Sequence, residues 1–445
     1  DYLGSGLGEL PLTLPAIHSL FDVIDPALLV QGLRLRLSPE SLRTPLGFEA
    51  LLHVTMINMV HCVFPRVNLT KPLRMRLTIH SLDRETNFVR NLALINQANH
   101  IHIAKDRCAG LPMVVALPGP SLDPGLLRQH RDSFVLLAAG RAAGPLIEAG
   151  VVPDYIYMQD VNTAAWDINF GFLGERRLPS ILVTNPLGAF YKYAHNFSRI
   201  FKAWNYYPFE KDLFPKLEET APSSASGAYS LARLLGCDPV VFVGNDCGDP
   251  VPARTQAEPP GDMTNLSFER EGDDLVFAPL SRQTDMYLRF ADEFCVHTRN
   301  DYVTAAQWLK MRARQDVEAS GRRVFDLSRT GLCRFNSVLR DGFHFQGMEP
   351  IALPELPRYA TKYDVRPVLK GRHSGFSFIA RQLRKGVMPP TVLTPPYSCV
   401  LQGTVMAAHD LTEPVGDDVA LALANAETML GHIEAALGAL PSGQG

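Results

Sequence analysis

Apolar and polar positions alternate along this chain on two different scales, and the change of scale divides it. Within residues 1–110 the spacing is helical in ESLRTPLGFEALLHVTMINMVHCVF and again in RETNFVRNLALINQANHIHIA, with the proline-containing VNLTKPLRMRLTIHSL between them. From Met113 onward short apolar runs of strand length recur: MVVAL, FVLLAA (134–139), YIYMQD (155–160), SILVTN (180–185), VVFVG (240–244) and VFDLS (324–328). Between them lie AAGPLIEAG, SASGAYSLARLLG and TDMYLRFADEFCVHT, which read as amphipathic helices. Strands alternating with helices predict an α/β domain over residues 111–350, built on a mostly parallel sheet with helices on both faces. The proline-rich, charged stretch 250–274 has no apolar period and fits either a mobile lid or a disordered insertion. Residues 351–445 are punctuated by proline and close on DDVALALANAETMLGHIEAALGAL, an amphipathic helix without Lys or Arg that packs on the core or on a partner subunit. Residues 1–110 and 351–445 are thus helical additions to a central domain.

The ends of the strands carry the chemistry. The first apolar run stops at Gly119-Pro120-Ser121 and gives way to LLRQHR, the arrangement in which backbone N–H groups, a serine hydroxyl and a helix N-terminus approach a phosphate. The later runs end in Gln159-Asp160, Asn185 and Asn245-Asp246, and in a parallel sheet these ends share one edge. Ser, Asn, Gln and Asp supply the donors and acceptors that a nucleotide's phosphate, ribose and base require. Each is also a normal helix cap. Ser223 and Ser224, ahead of AYSLARLLG, either cap a helix or hold an anion. The spaced glycines of a dinucleotide site are missing at residues 117–121, which disfavours a nicotinamide enzyme.

Composition narrows the partners. The 445 residues are 46% hydrophobic, as in an ordinary globular protein, and a net charge of −3 gives no basic excess for nucleic acid. No run approaches a membrane span and no signal segment opens the chain, so it reads as cytoplasmic; Asp1 in place of Met allows for a missing amino-terminal portion. The seven cysteines lack paired short spacing, so buried free thiols are expected rather than a disulfide framework or zinc site. Cys247 falls in the second site turn, without a histidine close by to make it a nucleophile.

The ordered series GPSLD, AGVVPDYIYMQD, Asn185-Pro186, a serine-led helix ending in LG and a strand closing in Gly-x-Asp resembles one family over residues 88–335. These are the motility-associated factor (Maf) flagellin glycosyltransferases, whose central domain also includes a 6-hydroxymethylpterin diphosphokinase-like branch. The resemblance implies a bacterial, cytoplasmic enzyme with a Rossmann-like sheet resembling that of sialyltransferases. It would move a nonulosonic acid of the pseudaminic, legionaminic or sialic type from a CMP-activated donor to Ser or Thr of flagellin, in the service of motility. The family pattern maps onto Gly119, Pro120, Ser121, Asp160, Ser223, Gly244, Asn245 and Asp246. Leu117 or Pro118 and Ala221-Pro222 stand where the family often has glycine.

Single displacement at the anomeric carbon would need a base, for which Asp160 and His344 are the candidates, with His195, flanked by Tyr191 and Tyr193, as a third. Donor binding falls to Gly119, Pro120, Ser121, Gln159, Asn185, Ser223, Ser224, Asn245 and Asp246. No cofactor is required for a monophosphate leaving group, although Asp160 and Asp246 could hold magnesium. The alternatives are a magnesium- and ATP-dependent pterin-type diphosphokinase and a non-catalytic nucleotide-binding assembly factor.

Overall fold

The computed structural model describes residues 36–37, 81–203, 223–251, 265–271, 274–279, 285–290, 294–328, 342–357, 363–387, 389, 392, 396–401 and 416–440. Among them the strands are β1 (Arg36–Leu37), β2 (Ala98–His100), β3 (Met113–Ala116), β4 (Val135–Ala139), β5 (Tyr155–Met158), β6 (Leu178–Thr184), β7 (Phe197–Lys202), β8 (Val240–Val243), β9 (Asp249–Val251), β10 (Asn265–Glu271), β11 (Asp274–Pro279), β12 (Asp285–Phe290), β13 (Phe294–Arg299) and β14 (Val324–Asp326). The helices are α1 (Ser81–Leu92), α2 (Pro124–Gln129), α3 (Gly140–Glu148), α4 (Thr163–Phe170), α5 (Phe190–Tyr193), α6 (Ser224–Leu234), α7 (Asn300–Ser320), α8 (Arg366–Leu383) and α9 (Gly416–Ala439).

The central domain is an eight-stranded sheet in the order β14-β8-β3-β4-β5-β6-β7-β2, and every neighbouring pair is parallel. Strands β3, β4, β5 and β8 are buried at every position, which explains why they read as continuous apolar runs rather than as alternation. Successive residues point to opposite faces. Val115, Leu137 and Tyr157 pack under Tyr229 and Leu231 of α6 and Leu309 of α7. Val114, Leu136 and Ile156 pack on the other face against Leu127 of α2, Leu146 of α3 and Trp166 of α4. The arrangement is α/β and Rossmann-like, as the alternation predicts.

The apolar runs at 113–117, 134–139, 155–160, 180–185, 240–244 and 324–328 all coincide with strands of this sheet. Two further strands, β2 and β7, complete its far edge. β7 escapes an apolar reading because Ser198 and Arg199 interrupt it, and the three residues of β2 are too few to show a period. The helical reading of residues 84–104 holds only to Leu92; beyond it come single turns of 3-10 helix around β2.

Of the segment expected as a helix, residues 285–290 and 294–298 are strand. Met286, Leu288 and Phe290 alternate with Tyr287 and Arg289, a period of two, and β12 pairs antiparallel with β13. These two belong to a second sheet, β1-β11-β10-β12-β13-β9, whose strands β9 to β13 lie in the chain between β8 and α7 and whose edge strand β1 comes from residues 36–37. Its strand β10 lies within the stretch 250–274 expected as a lid or disordered insertion, and pairs antiparallel with β11. The helical segment around residues 40–64 lies outside the described residues.

Helices from the two ends of the chain share a third core, in which Phe88 and Leu92 of α1 meet Leu369 and Phe376 of α8 and Met429 and Ile433 of α9. Helix α8 is absent from the sequence reading, whereas α9 starts where the patterning places it. No described helix is long and apolar enough to cross a membrane. Cys108, Cys237 and Cys399 are buried free thiols.

Candidate active site

Because the large sheet is parallel throughout, the carboxyl ends of its strands lie along one edge. At that edge β3 and β8 are bound together beyond their regular pairing, by Leu117 N–H to the Val243 carbonyl at 2.8 Å and Gly119 N–H to the Gly244 carbonyl at 2.9 Å. Glycine is required at both positions. A Cβ on Gly119 would sit on the Asp246 carboxylate and the Gly244 carbonyl, and Gly244 has φ +70° with no room for a side chain against the Leu117 carbonyl.

The Gly119-Pro120-Ser121 turn closes on Asp246. Ser121 donates its backbone N–H to Oδ2 at 2.9 Å and its hydroxyl to Oδ1 at 2.6 Å, and Asp246 is fully buried. Beside it Asn245 joins β8 to the end of β14. Its backbone N–H donates to Ser328 Oγ at 2.6 Å and its side-chain amide to Asp326 Oδ2 at 2.9 Å, while Ser328 N–H donates to Asp326 Oδ1 at 2.8 Å. Burial pushes the Asp326 carboxyl up to about 7, against the pull of its hydrogen bonds to Ser328 and Asn245 and with a push from Asp246.

A cavity of about 810 Å³ opens over this network, a size within the range for small-molecule sites. Its polar lining is Ser121, Asp123, Gln129, His130, Asp326, Ser328, His344 and Gln346, and its apolar lining includes Pro120, Leu126, Phe343 and Phe345. Phe345 is buried and stacks on the His130 ring at 5.3 Å, while His344 next to it is exposed toward solvent. The segment 342–346 thus turns aromatic rings inward and an imidazole outward.

Of the residues singled out by sequence, Pro120, Ser121 and His344 line this cavity, and Asn245 and Asp246 brace it from beneath. The others sit elsewhere along the edge. Asp160 is exposed, and its Oδ1 accepts the Asn162 N–H at 2.8 Å. Gln159 Oε1 accepts the Tyr157 hydroxyl at 2.9 Å, and Asn185 Oδ1 accepts the Leu187 N–H at 2.9 Å.

Ser223 caps α6 by accepting the Ala225 N–H at 3.1 Å, and Ser224 begins that helix. The start of α6 lies over β5, since Gly227 leaves no space between the helix and Tyr157. Three strand spacings, about 14 Å, separate the ends of β8 and β5, so Asp246 and Asp160 do not fit as joint ligands of one magnesium ion.

His195 is exposed on the far side, near the Gly174 carbonyl. Tyr193 donates to Asp167 Oδ1 at 2.6 Å, and the Arg90 guanidinium lies over Tyr191. Cys247 adopts φ +54° with its thiol toward Asn245 Oδ1.

Residues that sequence reasoning passed over complete the edge. Asp326 and Ser328 end a strand in the same polar manner as Asn245-Asp246, and that signal was there to be read. Asn87 and Asn91 carried no comparable signal. Both are fully buried in α1; Asn87 donates to the carbonyls of Val161 and Leu187, each at 2.9 Å, and Asn91 to those of Pro186 and Gly188, each at 2.7 Å. The helix thereby holds the loops after β5 and β6.

Residues 86–251 match the family described as 6-hydroxymethylpterin diphosphokinase MptE-like. No curated protein matches the chain. Among solved structures, the Maf glycosyltransferase from Magnetospirillum magneticum AMB-1 is 14% identical, with a TM-score of 0.43, over 89% of this chain and 58% of its own length. The chain therefore spans 58% of that structure. The Gly119 turn, Asp160, Asn185, Ser223 and the Asn245-Asp246 strand end all fall inside the family match, and residues 86–251 form an MptE-like domain.

Proposed function

We propose that the protein is a glycosyltransferase that moves a nonulosonic acid from a CMP-activated donor to Ser or Thr hydroxyls of flagellin. The observation that carries the reading is the cavity at the carboxyl edge of the parallel sheet, where an exposed imidazole, serine hydroxyls and aromatic walls share one space. The ordered motifs that resemble the Maf family run along the same edge.

In this reading His344 takes the proton of the acceptor hydroxyl as its oxygen bonds to the anomeric carbon, and CMP leaves with the electrons of the broken C–O bond. Ser121, in the same cavity as His344, receives the departing phosphate, and Ser223, Ser224, Gln159 and Asn185, further along the edge, meet ribose and base. Asp160, exposed at the same edge, is the second base candidate.

A second reading, pyrophosphoryl transfer from ATP to a pterin alcohol, is favoured by the description of the matched family. Its magnesium ion needs carboxylates close enough to share it, and Asp246 and Asp160 stand about 14 Å apart along the edge.

Calorimetric titration with CMP, and separately with ATP and magnesium, tests the choice. Selective CMP binding, together with a mass increase of flagellin on incubation with a CMP-nonulosonic acid, is the expected result. Binding of ATP with magnesium in preference to CMP selects the kinase, and binding of neither selects a non-catalytic assembly factor.

A further inference from the structure

We propose that the exposed face of α8 is a peripheral docking surface for an anionic lipid bilayer, held by Lys370, Arg381 and Lys385 and by the ring of Phe378. The inference stands apart from the glycosyltransferase reading, because α8 belongs to the third core and not to the edge of the large sheet.

Residues 366–387 hold six lysine or arginine side chains and no aspartate or glutamate, in a chain whose net charge is −3. Helix α8 sorts these cations by face. Leu369, Phe376, Ile379 and Leu383 are buried in the core shared with α1 and α9. Arg372 pairs with Glu85 of α1 at 2.9 Å and Arg384 with Glu427 of α9 at 2.7 Å, so these two arginines tie the helix to its neighbours. Lys370, Ser374, Phe378, Arg381 and Lys385 follow at steps of four, four, three and four, which sets them along one stripe. All five are exposed, Phe378 at 44%. Among the described residues Lys370, Arg381 and Lys385 form no ion pair. The carbonyl end of the helix attracts Arg381 and Lys385, but Lys370 stands toward the opposite end, where the dipole offers a cation no stabilisation.

Charge complementarity therefore calls for an anionic partner outside the chain, and the shape of the face favours a bilayer. The stripe is the convex outside of a helix, which gives an acidic peptide no groove to enter. Single-stranded nucleic acid is held by successive aromatic rings on which its bases stack, and this stripe carries one ring. A layer of anionic headgroups is flat, attracts clustered Lys and Arg, and accepts an aromatic side chain at its apolar boundary. The apolar side of α8 is already packed in the core and no described helix is long and apolar enough to cross a membrane, so the contact is peripheral.

Sedimentation of the whole protein with vesicles tests the proposal, using phosphatidylglycerol and phosphatidylcholine in equal parts against phosphatidylcholine alone. Wild type is expected to pellet with the anionic vesicles at about 0.05 M salt, to leave them at about 0.5 M, and to ignore the neutral ones. Each cation at an anionic surface contributes about fivefold to partitioning, so Lys370→Gln, Arg381→Gln and Lys385→Gln combined should weaken binding about 100-fold. Phe378→Ala should weaken it about fivefold. Lys105→Gln, Arg107→Gln and Arg176→Gln combined remove the same charge from exposed positions elsewhere and should change binding less than about threefold. The inference is overturned if wild type stays in the supernatant at low salt, if the two triple variants bind alike, or if polyuridylate displaces the vesicles from wild type. Should the α8 triple variant melt early by circular dichroism, the single substitution Arg381→Gln decides, with about a fivefold loss expected and no loss overturning the proposal.

Discussion

Ser121 and Asp246, 125 residues apart in sequence, join through two hydrogen bonds of 2.9 and 2.6 Å at the place where β3 and β8 leave the sheet. The carboxylate is fully buried and the serine supplies a backbone and a side-chain donor to it, which makes the pair a clamp on the turn. Hydrogen bonds to a charged group contribute more than neutral ones, and a buried donor left unmatched carries a desolvation cost. Asp246→Ala is therefore expected to lower unfolding free energy by about 2–4 kcal/mol in a denaturant titration. A loss under 1 kcal/mol would mean that the clamp does not hold the turn in solution.

The two glycines of the same junction make a sharper prediction. Gly119→Ala drives a methyl into the Asp246 carboxylate and the Gly244 carbonyl, and Gly244→Ala adds left-handed backbone strain to a clash with the Leu117 carbonyl. Overpacking of this kind costs about 1–3 kcal/mol. Gly125→Ala, beside only the Asp123 carboxylate, serves as the comparison and should be milder in the same melting series.

Stability should fall as pH rises from the ordinary carboxylate range toward 7. Asp326 and Glu85 both titrate near 7 in the folded chain, each raised chiefly by burial, Glu85 despite its 2.9 Å ion pair with Arg372. In that window the native state holds protons that the unfolded state has lost, so the contribution is full below the unfolded value and gone above the folded one. Asp326→Asn removes one of the two groups. Denaturation at pH 5 and pH 7.5 should show a smaller difference for the variant than for wild type; equal differences would place the Asp326 carboxyl in the ordinary range.

Asn91 satisfies three backbone groups at once, the carbonyls of Pro186 and Gly188 and the Tyr191 N–H. Truncation to alanine leaves all three buried without their partner, for an expected loss of about 2–4 kcal/mol. Faster hydrogen exchange at Tyr191 is the local readout. Unchanged exchange would show that α1 does not anchor that loop.

His344→Asn should slow transfer from a CMP-sugar to flagellin by at least about 100-fold, as expected for loss of a general base, while CMP affinity changes less than threefold. Full activity in His344→Asn with a large loss in Asp160→Asn would transfer the base role to Asp160.

Six strands of the large sheet and the position of the Gly119 turn were legible in the sequence, because a strand buried on both faces must be apolar throughout and a chain leaving a packed edge needs glycine. Strand β7 and the pair β12–β13 were not. Charged or polar residues interrupt the first, and the spacing of the second satisfies a helical and a strand period at once until pairing with neighbours decides between them. The polar strand ends were visible as a set, since parallel strands bring their carboxyl ends to one edge.

How those ends divide the work was settled by tertiary structure. Hydrogen bonds between residues distant in sequence commit Asp246 to Ser121 and Asn245 to Asp326, and so separate the groups that brace the cavity from those that face it. Sequence by itself determined which residue types stand at the edge, because burial of the strands dictates where apolar runs must stop. Only the folded chain decided their roles, because a donor or acceptor is available to a ligand according to which partner across the fold has already taken it.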